Sequence, residues 1–167
     1  MRPTRAAAGC LPLLLLLACG PVSTNAAPLP EDTNLDAGII SDTLRLGIEA
    51  PERVPAGEAV PMTLRVENVS GRTLELHLRG RTVAFDLVVS DPDGGELWRR
   101  LEGEFVPAIL RLESLAAGEA LEFTDAWDQR TGAGERVPTG VYQLRGEILT
   151  DGEPLITPER PLRIDPS

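Results

Sequence analysis

The residues able to do covalent or acid–base chemistry are few. There is one His, His77, two Cys, Cys10 and Cys19, and no Lys, so all 16 basic side chains are Arg. Without Lys, Schiff-base chemistry is excluded. A lone His between Glu75 and Arg79 leaves little room for a Ser–His machine or a zinc site, and it reads as a solvated surface residue. Carboxylates are plentiful but show no pairing along the sequence, so acid–base work would rest on them alone. Asp91-Pro92-Asp93-Gly94-Gly95 lacks the spacing of an EF-hand loop, so a hairpin turn is expected there rather than a calcium site built with Asp125 and Asp128. No catalytic residue, cofactor or metal ligand is assigned, and the chain reads as a non-enzyme. Its 26 acidic side chains give a net charge of −10, which makes nucleic acid a poor partner.

The other chemistry-bearing residue is Cys19. Arg2 and Arg5 precede an apolar segment from Ala6 to Ala18, too short to span a bilayer but of the length of a signal-peptide core. It ends Leu16-Leu17-Ala18-Cys19-Gly20, which resembles the lipobox of bacterial lipoproteins, although Leu17 stands where a small residue is more usual. That reading makes residues 1–18 a signal peptide and Cys19 a lipidated mature N-terminus, attached to the membrane of the cell envelope. The alternative is ordinary cleavage near Asn25-Ala26-Ala27, with Cys19 discarded. From residue 19 to 41 the chain has no hydrophobic period. Pro21, Pro28 and Pro30 with Glu31, Asp32 and Asp36 predict a flexible, solvated tether.

The elements that must position any binding residue begin at about 42 and run to 167. Leu44, Leu46 and Ile48 alternate with polar or small residues. So do Val60, Met62, Leu64 and Val66; Leu74, Leu76 and Leu78; Val83, Phe85, Leu87 and Val89; Leu121 and Phe123; and Tyr142, Leu144 and Ile148. A period of two marks strands with one face on a core and one in water. Turn residues separate the runs at 55–57, 68–71, 91–95, 117–118 and 138–140. The pattern predicts a single all-β domain, an antiparallel sandwich. Pro61 and Pro107 interrupt strand-like runs and should lie at edges or bulges. Trp98 and Trp127 are expected in the core rather than in a ligand platform, with Asp128 accepting backbone N–H groups at a corner. Tyr142 should bond its hydroxyl to backbone, and Asn68-Val69-Ser70 should serve a turn rather than carry a glycan.

One ordered set goes beyond generic β patterning. It comprises Val60-Pro61-Met62-Thr63-Leu64-Arg65-Val66-Glu67-Asn68-Val69-Ser70-Gly71, Phe85-Asp86-Leu87-Val88-Val89, Leu97-Trp98-Arg99, Phe105, Leu115-Ala116-Ala117-Gly118-Glu119, Phe123, Trp127-Asp128-Gln129 and Pro138-Thr139-Gly140-Val141-Tyr142. Over residues 44 to 150 this resembles the BsuPI family of intracellular proteinase inhibitors. The resemblance implies an immunoglobulin-like antiparallel β-sandwich and a protein partner, a protease. A substrate-like inhibitory loop would lie in Trp98–Phe105 or Thr131–Pro138, with Arg99, Arg100, Phe105 and Arg136 as candidate contacts. Two functions follow as expectations. The first is a membrane-anchored, protein-binding lipoprotein domain of the envelope; the alternative is a proteinase inhibitor presenting a loop to a serine protease.

Overall fold

Twelve strands lie among the described residues, the longer ones formed by alternating apolar side chains. In the computed structural model, which describes residues 42–167 and the backbone of Gly38 and Ile39, these are β1 (Gly38–Ile39), β2 (Leu44–Glu49), β3 (Arg53–Pro55), β4 (Val60–Asn68), β5 (Leu74–Arg79), β6 (Phe85–Ser90), β7 (Glu96–Arg99), β8 (Leu110–Leu115), β9 (Ala120–Trp127), β10 (Gly140–Ile148), β11 (Leu155–Ile156) and β12 (Arg160–Asp165). The leader 1–18, Cys19 and all but two residues of the expected tether lie outside the described residues. Those two, Gly38 and Ile39, pair with Leu46 and Arg45, so a strand lies within the stretch expected to be tether.

One sheet has the order β1-β2-β4-β9 and a second β3-β12-β10-β6-β7, with β11 beside β10; β5 and β8 form a two-stranded ribbon. All pairings are antiparallel except β3 with β12. The inward residues of all three sheets share one core, with Leu46, Leu64 and Val66 meeting Leu87, Leu144 and Leu162, and Leu78 and Leu115 joining from the ribbon. The fold is an all-β sandwich. The two layers pack closely at Gly146, where an added Cβ would lie 2.6 Å from Leu64 Cδ1, so any larger residue would force Leu64 to move.

Two expectations are refined. The ladder of β2 on β4 stops at Thr63, so Pro61 is paired only with Ala126 of β9 and obstructs no second neighbour, as a proline in a strand must. Pro107 is not in a strand at all. The strand β6 is buried on both faces, Asp86 and Val88 as well as Leu87 and Val89, where period-two alternation predicts one wet face. The reason for Asp86 is the segment after β7, which folds back over it.

Candidate functional site

The β6–β7 hairpin builds the base of a loop. Its turn is closed by the Asp91 carboxylate, which accepts the N–H groups of Asp93 and Gly95 at 2.9 and 2.7 Å. That Asp91–Gly95 segment is the hairpin turn expected from its residues. β7 then delivers Arg99 over Asp86, whose side chain is only 3% exposed. Arg99 donates from Nη1 to Asp86 Oδ2 at 2.7 Å and to Glu147 Oε2 at 3.2 Å, and from Nε and Nη2 to both oxygens of Glu96 at 2.9 and 2.8 Å. The fork geometry of guanidinium is what lets one side chain hold three carboxylates. Its bond to Glu96, ahead of those to Asp86 and Glu147, holds the guanidinium firmly protonated, while Arg99 lowers the pKa of Glu96.

Asp86 also accepts the N–H of Leu101 at 3.0 Å, and Arg100 N–H reaches the Leu87 carbonyl at 3.0 Å, so the root of the loop is sewn to β6. Arg100 is used up in the same way. It donates to Asp125 Oδ2 at 2.6 Å and to the Phe85 carbonyl at 3.0 Å, and its guanidinium lies 4.0 Å above the Phe85 ring. Phe85 in turn stacks on Phe123 at 5.2 Å, joining the two sheets.

Beyond this root the chain makes two turns, Glu102 N–H to Arg99 carbonyl at 3.1 Å and Glu104 N–H to Leu101 carbonyl at 3.0 Å. It then presents Phe105, 88% exposed, followed by half-buried Val106 and Pro107 and exposed Ile109. Of the four contact residues expected from sequence, Arg99 and Arg100 therefore support the loop and Phe105 crowns it. Arg136 lies on the other loop.

That second loop, Thr131–Pro138, is a tight turn rather than an extended segment. Thr131 N–H bonds to the Glu135 carbonyl, Gly134 N–H to the Thr131 carbonyl, both at 2.8 Å, and Arg130 bridges to Arg136. Gly132 N–H donates to the Leu97 carbonyl at 2.8 Å, so this turn braces β7, the strand that leads into the first loop.

Over residues 50–153 the sequence matches the BsuPI family, described as intracellular proteinase inhibitors. The chain belongs to the BsuPI family. Membership in a family of proteinase inhibitors is in keeping with a non-catalytic domain. No curated protein matches the sequence. Among solved structures, similarity is distant. A β-glucosidase from Listeria innocua is 11% identical with a TM-score of 0.41; the alignment covers 72% of this chain and 16% of that one. The C-terminal domain of wzt is 15% identical with a TM-score of 0.44, covering 81% of this chain and 77% of that one. The CARDB domain of the PF1109 protein from Pyrococcus furiosus is 12% identical with a TM-score of 0.39, covering 77% and 100%.

The remaining conspicuous residues of this BsuPI domain hold its frame. Trp127 is fully buried, with Tyr142 edge-on at 5.9 Å, whereas Trp98 is half-buried against it at 6.4 Å. The Tyr142 hydroxyl donates to the Pro138 carbonyl at 2.5 Å, as expected for a sandwich corner, and burial raises its pKa. The corner after Trp127 is made by Gln129 rather than Asp128. Gln129 is buried with φ at +59°, accepts the Gly57 N–H at 2.7 Å and donates to the Pro55 carbonyl at 2.9 Å. Asp128 turns outward to Arg130, because an amide can serve both a donor and an acceptor where a carboxylate could only accept. His77 is surface-exposed, yet its ring lies 3.1 Å from Glu75 and 3.3 Å from Asp151, which raise its pKa above the ordinary 6.5.

Sequence reasoning passed over Asp86 as a working residue. Its signal was present: it is the one charge in the apolar run Phe85–Val89, and a buried carboxylate must be paired.

Proposed function

We propose that this BsuPI domain inhibits a proteinase by presenting the Arg100–Ile109 loop, with Phe105 as the side chain that enters the enzyme's primary pocket. The observation that carries the reading is the contrast between an apex that is 88% exposed and a root fastened by Asp86, Arg99 and Arg100. A large aromatic held out from an ordered scaffold loses little freedom on binding, and a few such anchors dominate protein interfaces. The anchor's chemistry selects an enzyme with an apolar pocket, such as a subtilisin-type serine protease. Glu102 and Glu104 beside it favour one with a basic rim.

The test is titration of a subtilisin-type and a trypsin-type protease with the purified protein. Stoichiometric inhibition of the first, reduced about 30-fold or more in Phe105→Ala, is expected, since an anchor is worth about 2 kcal/mol or more. Arg136→Ala should leave inhibition unchanged. Equal inhibition by the Phe105→Ala variant, or digestion of the protein without inhibition, refutes the loop.

The envelope setting is proposed from the leader. Leu16-Leu17-Ala18-Cys19-Gly20 supports lipidation at Cys19, which would hold the domain at a membrane surface and restrict it to proteinases that reach that surface.

A further inference from the structure

The open sheet edges among the described residues differ. β9, the edge of the four-stranded sheet, carries exposed Glu122 and Asp125, so two copies meeting there would set acid against acid. β8 is different. It pairs with β5 on one side only, no backbone partner lies on its other side among the described residues, and Leu110 and Leu112 are 51% and 57% exposed.

The register with β5 decides what this free edge offers. Gly80 N–H donates to the Ile109 carbonyl at 2.9 Å, and Arg79 lies opposite Leu110. Odd-numbered residues of β8 therefore turn their backbone groups toward β5, and Leu110, Leu112 and Ser114 turn theirs outward. The side chains alternate as well. Leu110, Leu112 and Ser114 share the outer face with Arg79, His77 and Glu75, while Arg111 and Glu113 lie on the face of Leu115 and the core, opposite Leu78 and Leu76. Charges pointing inward on an edge strand are a known bar to indiscriminate pairing.

We propose that β8 pairs antiparallel with β8 of a second copy, about a two-fold axis through Leu112. In that register Leu112 faces Leu112 of the second copy and exchanges two backbone hydrogen bonds with it, and Leu110 and Ser114 do the same with each other. Arg111 falls opposite Glu113 of the second copy and Glu113 opposite Arg111, in the non-hydrogen-bonded positions where side chains approach most closely. The Arg111–Glu113 ion pair within each copy thus becomes part of a ring of alternating charge. Leu110 lies diagonal to the opposing Leu112, so the exposed leucines close into one apolar strip across the axis. Slipping the register by two places leaves an arginine or a glutamate without its counterpart. The segment Leu110-Arg111-Leu112-Glu113-Ser114 is charge-complementary to itself reversed, which an isologous contact requires and a contact with an unrelated strand does not.

The experiment is sedimentation of the full chain at high micromolar concentration, with circular dichroism melting to confirm that each variant is folded and no protease present. A reversible dimer is expected. Arg111→Glu or Glu113→Arg alone puts like charges across the axis and should weaken it about tenfold. The double variant R111E/E113R should restore it. Leu112→Lys should give a monomer of unchanged melting temperature, because that side chain already faces solvent. Leu112→Cys should give a disulfide-linked dimer beyond the background of Cys10 and Cys19. A monomeric wild-type chain overturns the proposal, and so does a dimer indifferent to these changes. A monomeric chain that loses proteinase inhibition on Leu112→Lys would assign the edge to the proteinase instead.

Discussion

Asn68 shows how one side chain can close two layers. It is fully buried at the end of β4, and its Nδ2 donates to the carbonyls of Arg72, Leu115 and Ala116 at 2.7, 2.8 and 3.0 Å. Its Oδ1 accepts from Ser70 N–H at 2.9 Å and Ser70 Oγ at 2.6 Å. The turn role expected of Asn68-Val69-Ser70 is therefore real, but the residue also ties the four-stranded sheet to the end of β8. With its two N–H groups shared among three carbonyls and out of solvent, it is closed to glycosylation in the folded state. Asn68→Ala leaves the buried Leu115 carbonyl without its donor and should cost about 2–3 kcal/mol in denaturant unfolding. Asn68→Asp keeps the oxygen that Ser70 uses but sets a carboxylate against three carbonyls, so it should be no better. A loss below half a kcal/mol would mean that water replaces the amide.

At the scale of the element, the loop from Arg100 to Ile109 depends on β6 more than on itself. Its internal bonds are two turns, whereas its root is held by Asp86, which binds Leu101 N–H and Arg99 together. Asp86→Ala should loosen the root without unfolding the sandwich, because Arg99 keeps Glu96 and Glu147 as partners. The cost should be about 1–3 kcal/mol. A loosened loop is a better substrate than inhibitor, since ordering it on the enzyme now costs conformational entropy. The variant should be cleaved next to Phe105 by a subtilisin-type protease and cease to inhibit it, and mass spectrometry of the digest would locate the cut. Intact protein with undiminished inhibition would show that Asp86 serves stability alone.

At the scale of the molecule, net charge sets the working context. The net charge of −10 opposes close approach to anionic surfaces, so a lipid at Cys19, rather than the domain's own surface, would have to hold the protein at a membrane. Replacing Cys19 with Ser should move the protein from the membrane to the soluble fraction while leaving its melting temperature unchanged. Membrane fractionation by the Cys19→Ser variant would refute lipidation.

Period-two alternation was enough to locate β2, β4, β5 and β10 and their buried faces, because a strand with one wet face writes its burial directly into every second residue. The order of residues from Val60 to Tyr142 was enough to bring out the family. The sequence could not separate the two candidate loops, since a tight turn and a projecting loop draw on the same polar and glycine residues. Only the packing against β6 tells them apart as structures, by consuming Arg99 and Arg100 in the frame and leaving Phe105 outside it. Gln129 and the free edge of β8 were likewise invisible in the chain, and Asp86 showed there only as a lone charge in an apolar run, without its partners. Each owes its role to partners distant in sequence, Asp86 to Arg99 and Glu147, Gln129 to Pro55 and Gly57, and β8 to the absence of a neighbour among the described strands, and one-dimensional spacing carries no record of such partners.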